Sequence, residues 1–213
     1  MMKRLLCSLG LLLALSGPTW ALDGANGQRL TEIQQRWAEI QYQTPKKQQA
    51  AEFEKLAAQS SAFTRSAPNA AEAWIWHGIV TSSWAGADGG LGALGKVKDA
   101  RAALEKAIQL DPNALQGSAY TSLGALYDRV PGWPVSFGDE DEAEKLLRKA
   151  LQLNPNGIDS LYFWGDHLYR QGNDKEAREA LLKAKQAPPR PGRELADQGR
   201  RQEIDALLQE IQK

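Results

Sequence analysis

The sequence predicts an all-α protein built as a solenoid of antiparallel helix hairpins, and three observations carry that prediction. Apolar residues recur at helical spacing with no sustained strand alternation; one pattern of Ala, Leu, Ala and Pro occurs three times; and a glycine precedes each copy. The composition agrees, since 213 residues with 24% charged positions and seven Trp are enough to bury a core. Lys+Arg and Asp+Glu are equal at 26 each, which removes the basic surplus expected of a general nucleic-acid binder.

The first 21 residues stand apart from this pattern. Lys3 and Arg4 form a short positive region, Leu5 to Leu15 is an apolar stretch, and Thr19-Trp20-Ala21 is an acceptable small-x-small cleavage site. Residues 1–21 therefore read as a cleavable signal peptide, too short an apolar run for a comfortable membrane span. Cys7 lies at the start of the apolar stretch and not at its far end, which argues against lipidation. Cleavage leaves a net charge of −2 and no thiol, which suits an exported, oxidising compartment. The expected location is the periplasm.

Residues 22–69 read as a first, degenerate hairpin. Leu30, Ile33, Trp37 and Ile40 form one stripe; after a break at Pro45, Phe53, Leu56, Ser60 and Phe63 form a second. Asn69 with Glu72, Asp139 with Glu142 and Asn173 with Glu176 have capping-box spacing before helical stretches. Residues 70–189 hold the repeat: Ala100, Leu104, Ala107 and Pro112; Ala143, Leu147, Ala150 and Pro155; Ala177, Leu181, Ala184 and Pro189. Gly78, Gly124 and Gly165 occupy the helix before each quartet, with loop insertions expected at Gly86–Lys98 and Val130–Gly138 in the first two copies. The last segment, 190–213, carries Ile204, Leu207, Leu208 and Ile211 and reads as a capping helix.

The residue types follow from packing. Two antiparallel helices in close contact need small side chains where they cross, which assigns the glycines to the first helix of each hairpin and Ala100, Ala143 and Ala177 to the second. Leu104, Leu147 and Leu181 are then expected to fill the space between hairpins. The prolines end each second helix because they lack an N–H and disfavour helical geometry in the residue before.

This pattern resembles the tetratricopeptide repeat (TPR). Tyr120, Leu123-Gly124 and Tyr127 look like the large residue, apolar-Gly pair and aromatic of its first helix, and Ala143, Leu147, Ala150 and Pro155 look like its second. Leu161, Trp164-Gly165 and Leu168 fit the third copy, whereas the first departs at His77 and Thr81. Pro131-Gly132-Trp133-Pro134, Ser136-Phe137-Gly138-Asp139 and the tail Pro189-Arg190-Pro191-Gly192-Arg193 are also similar to exported bacterial TPR proteins of the T-component type associated with TRAP transporters.

Several motifs imitate chemistry. Gly90-Leu91-Gly92-Ala93-Leu94-Gly95 satisfies a dinucleotide fingerprint and, with Lys96, nearly a P-loop, but Val97 stands at the Ser/Thr position and a helix precedes it. His77 and His167 are far apart in sequence and have no nearby cysteine, so no metal site is expected; His77 reads as a buried, hydrogen-bonded imidazole. Asp166-His167 are neighbours on a helix and diverge by about 100°. Ser82 and Ser83 have no identifiable activating partner. The run Asp139-Glu140-Asp141-Glu142 suits a helix N-terminus, with calcium as the alternative. Arg190, Arg193, Arg200 and Arg201 read as solvated surface near the final helix, with contact to an anion or anionic lipid as the alternative.

What remains is a surface. The TPR resemblance implies a concave face built from first helices, at Ile75, Ile79 and Ser82, then Ser118, Thr121, Ala125, Asp128 and Arg129, then Tyr162, Asp166, Tyr169 and Arg170. Some of the charged residues can equally be spent on pairs within the repeats. Trp84, Trp133 and Phe137 lie at the loops and either bind a partner or fold back as plugs; Pro131 and Pro134 favour a fixed loop. The expected function is therefore a non-catalytic exported scaffold that holds a protein or peptide in its groove, without cofactor or metal. The alternative is an accessory of a solute-uptake system that binds a small or hydrophobic ligand.

Overall fold

A computed structural model describes residues 24–212; the signal-peptide expectation for 1–21 lies outside the described residues. The chain forms nine α-helices among the described residues: α1 (Gly24–Gln43), α2 (Lys46–Ser66), α3 (Ala71–Asp88), α4 (Ala93–Leu110), α5 (Ser118–Arg129), α6 (Glu140–Leu153), α7 (Ile158–Arg170), α8 (Asp174–Lys185) and α9 (Glu194–Glu210). No strand is present among them, only an isolated bridge between Gly132 and Gly138. Successive helices pack as hairpins, α1 with α2 through α7 with α8, and the hairpins stack side by side. The all-α solenoid expected from the spacing is the fold observed.

The three repeat glycines occupy equivalent contacts. A Cβ on Gly78, Gly124 or Gly165 would stand 2.6, 2.8 or 2.8 Å from the Cγ of Leu104, Leu147 or Leu181, respectively. These leucines thus meet the repeat glycines at each hairpin crossing. The glycine removes a side chain so that a leucine of the facing helix can reach its backbone. All three leucines are fully buried, and truncating any one to Ala costs about 2–5 kcal/mol.

Two local expectations change. The insertion expected at Gly86–Lys98 shrinks to Gly89–Gly92, because α3 and α4 each extend into it to 18 residues. Gly89 and Gly90 take φ of 67° and 57° to turn the chain between two helices, so the glycine motif has no strand before it. Of the three capping boxes only Asp139 caps, accepting from the Glu142 N–H at 3.0 Å with an extended backbone. Ala70 is the N-cap of α3 in place of Asn69, and Asn173 (ψ 61°) leaves the extended geometry that aims a side chain at the first turn.

The loop 130–138 is held by its backbone. Gly138 N–H donates to the Pro131 carbonyl at 3.0 Å, and the Val135 and Ser136 N–H groups both donate to Gly132 at 3.1 Å. A Cβ on Gly138 would run into the Val130 carbonyl, so this approach requires glycine.

Helix α9 does more than cover α8. It packs against α7 and α8 at one end of the solenoid and against α1 at the other, where Gly199 lies against the Tyr42 ring. The last helix therefore crosses the concave side and joins the two ends.

Candidate functional site

The concave side encloses a channel of about 1180 Å³. Its walls come from the first helix of every hairpin: Trp37 and Tyr42 of α1, Trp76 and Ile79 of α3, Thr121 and Arg129 of α5, Tyr162 and Phe163 of α7. Arg190, Arg193, Arg200 and Glu203, from α9 and the segment before it, close the remaining side.

An ion network fixes that closure. Asp159 of α7 accepts from Arg190 Nη1 at 2.7 Å and Arg200 Nε at 2.8 Å. Arg190 also meets Asp197, and Arg200 meets Glu203. Burial opposes the Asp159 charge, but Arg200 and Arg190 outweigh it and hold the carboxyl well below the ordinary carboxylate range. The Arg200 guanidinium lies 4.3 Å from the Tyr162 ring centre and 4.7 Å from that of Phe163, cation–π contacts that replace water on its faces. Arg190, Arg193 and Arg200 are thus not the solvated surface expected of them; Arg200 is 8% exposed. Its register with Ala196, Ile204 and Leu208 on one face of α9 is the sequence signal that could have placed it inside.

The expected groove residues divide into two groups. Ser118, Thr121, Arg129 and Tyr162 line the channel, as do Ile79, Ser82 and Ala125. Ile75 is fully buried in the core. Asp128, Asp166, Tyr169 and Arg170 stand behind the wall. Asp166 takes Arg129 Nη2 at 2.7 Å and Arg170 Nε at 3.2 Å, while Asp128 faces His167 and Arg170. These charges tie α5 to α7. The aromatics of the loops also divide: Trp84 packs on the core beneath the Lys96 ammonium at 4.4 Å, and Phe137 lies edge-on to Tyr127 at 5.2 Å with Arg101 at 5.0 Å. Trp133 is 90% exposed.

The histidines and serines singled out in the sequence are engaged in local contacts. His77 Nδ1 meets the buried Ser60 hydroxyl at 2.9 Å, and burial lowers the imidazole pKa. Ser82 and Ser83 hydroxyls donate to carbonyls of their own helix, and Ser83 accepts from Trp37 Nε1 at 2.8 Å. Among the described residues no group of three metal-ligating side chains converges, and no helix is long and apolar enough to cross a membrane.

Tetratricopeptide-repeat family models match residues 135–209 and 91–114. Over these segments the chain matches the tetratricopeptide repeat. The matched segments span α6 to α9 and the region of α4, and the glycine–leucine crossings recur in α3–α4, α5–α6 and α7–α8. Among solved structures, the thermophilic TPR protein TTC0263 of Thermus thermophilus is similar at 15% identity, over 85% of this chain and 99% of that one, with a TM-score of 0.55. MamA from Desulfovibrio magneticus RS-1 is 16% identical over 90% of this chain and 99% of its own, with a TM-score of 0.45. At 15% identity the likeness to TTC0263 is one of fold. No curated protein matches in sequence.

Proposed function

We propose that this TPR protein is an exported, non-catalytic scaffold that holds a protein partner across the mouth of its concave channel. The observation that carries the reading is Trp133, 90% exposed on a loop pinned by backbone hydrogen bonds, with Val130 and Pro131 of that loop on the channel rim. A large aromatic presented on a loop whose backbone is fixed is a typical interface anchor, and the backbone share of its ordering cost is already met. Arg129 and Tyr162 lie further in, where a bound segment would meet them. The TPR fold supports a protein-interaction role. Export rests on the charged and apolar regions within residues 1–21. A place beside a TRAP-type transporter is the narrower form of the proposal, supported by the Pro131-Gly132-Trp133-Pro134 motif at the rim.

Photo-cross-linking from position 133 in the native host, read by mass spectrometry, tests the partner. One polypeptide should be captured, and Trp133→Ala with a cross-linker at position 121 should reduce its yield at least about fivefold. Undiminished capture by Trp133→Ala would refute the anchor. N-terminal sequencing of the protein from fractionated cells should find Leu22 first; an intact Met1 in the cytoplasmic fraction would refute export.

A further inference from the structure

The channel wall holds more positive charge than its partners absorb. Lys46, Arg129, Arg190, Arg193 and Arg200 line it against Asp159 and Glu203. Asp166 takes Arg129, Asp159 and Asp197 take Arg190, and Asp159 with Glu203 takes Arg200. Two cations are left: Lys46, exposed and set against the Gln49 Oε1 at 3.4 Å, and Arg193, whose guanidinium has no ion pair among the described residues and lies 4.9 Å from the Trp76 ring centre. Burial, followed by the charge of Arg190, lowers the Arg193 pKa against the opposing charges of Asp159 and Asp197.

Two donors here have no acceptor. Arg193 Nε and the indole Nε1 of Trp76 are both buried and unpartnered, and Trp76 is 3% exposed. Leaving such N–H groups unpaired is unfavourable, and native interiors rarely do so without a role for them. That the two orphaned donors belong to residues in contact, on one cavity wall, points to a shared acceptor. Aromatic rings flank the pair: Trp37 stands edge-on to Trp76 at 5.9 Å and to Tyr42 at 5.9 Å, with Ala196 of α9 also on the wall.

We propose that Arg193 and Trp76 form the head-group end of a binding site for a small organic monocarboxylate with an apolar body. A carboxylate supplies the missing counter-ion and has two oxygens for the two kinds of N–H group, and the aromatic wall receives the rest of the molecule. No ion pair holds the guanidinium against the Trp76 face, so a turn of its side chain presents Nε to the ligand on the wall it shares with the indole N–H. A single negative charge balances this guanidinium, and the nearby charges of Asp159 and Asp197 disfavour a second. This site is independent of the partner at the channel mouth.

Calorimetric titration of the purified protein with decanoate, decanol and decyl phosphate tests the assignment. Decanoate should bind saturably at one site, at least about tenfold more tightly than decanol, the value expected for one charge-assisted pair. Arg193→Gln should lose that advantage and bind both equally; Trp76→Phe, which keeps a ring and deletes the N–H, should weaken decanoate severalfold and leave decanol unchanged. Trp133→Ala should bind decanoate as the wild type does, which separates this site from the partner reading. Circular dichroism confirms that each variant is folded, and should Trp76→Phe unfold, Arg193→Gln alone decides. Absent saturation, equal affinity for decanoate and decanol, or an unaltered Arg193→Gln would overturn the site; tighter binding of decyl phosphate would overturn the monocarboxylate class.

Discussion

His167 Nδ1 and Asp128 Oδ1 lie 2.8 Å apart with both side chains 3% exposed, a buried pair that ties α7 to α5 across the boundary between two hairpins. Arg170 Nε reaches the other carboxylate oxygen at 3.4 Å. The next residue along α5, Arg129, turns instead to the channel wall and pairs with Asp166. Adjacent charged residues thus have opposite duties, because successive positions on a helix point about 100° apart.

Replacing Asp128 by Ala leaves a buried imidazole N–H without an acceptor and is expected to cost about 1–3 kcal/mol. Asp128→Asn keeps an acceptor oxygen and should cost less. Urea unfolding followed by circular dichroism measures both, and equal losses would show that the hydrogen bond is not what Asp128 contributes.

Alanine at Gly78, Gly124 or Gly165 should push a leucine out of its crossing and cost about 1–3 kcal/mol by overpacking. Pairing Gly165→Ala with Leu181→Ala should cost less than the two separate losses combined, because the second change removes the clash. Thermal melts of the three single variants should show comparable drops; a neutral result at one glycine would end the equivalence of the repeats.

Acid should destabilise the protein in two stages. His77 has a folded pKa lowered by burial, so below about pH 6.5 the unfolded chain takes up a proton that the folded one resists, and stability falls. Asp159 has a depressed folded pKa, so its contribution is present above its unfolded value near 4 and is lost as pH falls through and below it. Urea midpoints between pH 3 and 7 should decline in both windows. Asp159→Asn should be weaker at neutral pH yet flatter below about pH 4; a slope parallel to wild type there would refute the assignment.

Leu115 and Gln116 hold φ of 46° and 56° in the turn before α5, a left-handed conformation that costs a side-chain-bearing residue about 1–2 kcal/mol. Gln116→Gly should therefore gain up to about 1 kcal/mol in the folded state, offset in part by greater freedom in the unfolded chain. A lower melting temperature would mean that the Gln116 side chain contributes more than its backbone costs.

The sequence legibly carried the repeat, since Gly78, Gly124 and Gly165 with their Ala-Leu-Ala-Pro partners are short-range signals that act within one hairpin. It did not show that Leu104, Leu147 and Leu181 meet those glycines, because a buried apolar side chain does not announce which neighbour it faces. The pairs that Asp128 and Asp159 make, and that of Asp166 with Arg129, were not readable, as each joins segments that spacing alone cannot align; only Asp166–Arg170 is an i,i+4 pair within α7. Of the loop aromatics, Trp133 stayed outside while Phe137 found Tyr127 and Arg101 within reach.

What the sequence determined by itself is the hairpin: helix period, small residues at crossings and proline stops all act over a few turns of chain. What only the tertiary structure decided is the closure of the concave side, where the Tyr42 hydroxyl meets Glu203 at 3.4 Å across 161 positions and Gly199 admits the Tyr42 ring. Such contacts depend on the curvature accumulated by stacking all four hairpins, so no local pattern encodes them. That curvature is also what carries Arg193 onto Trp76.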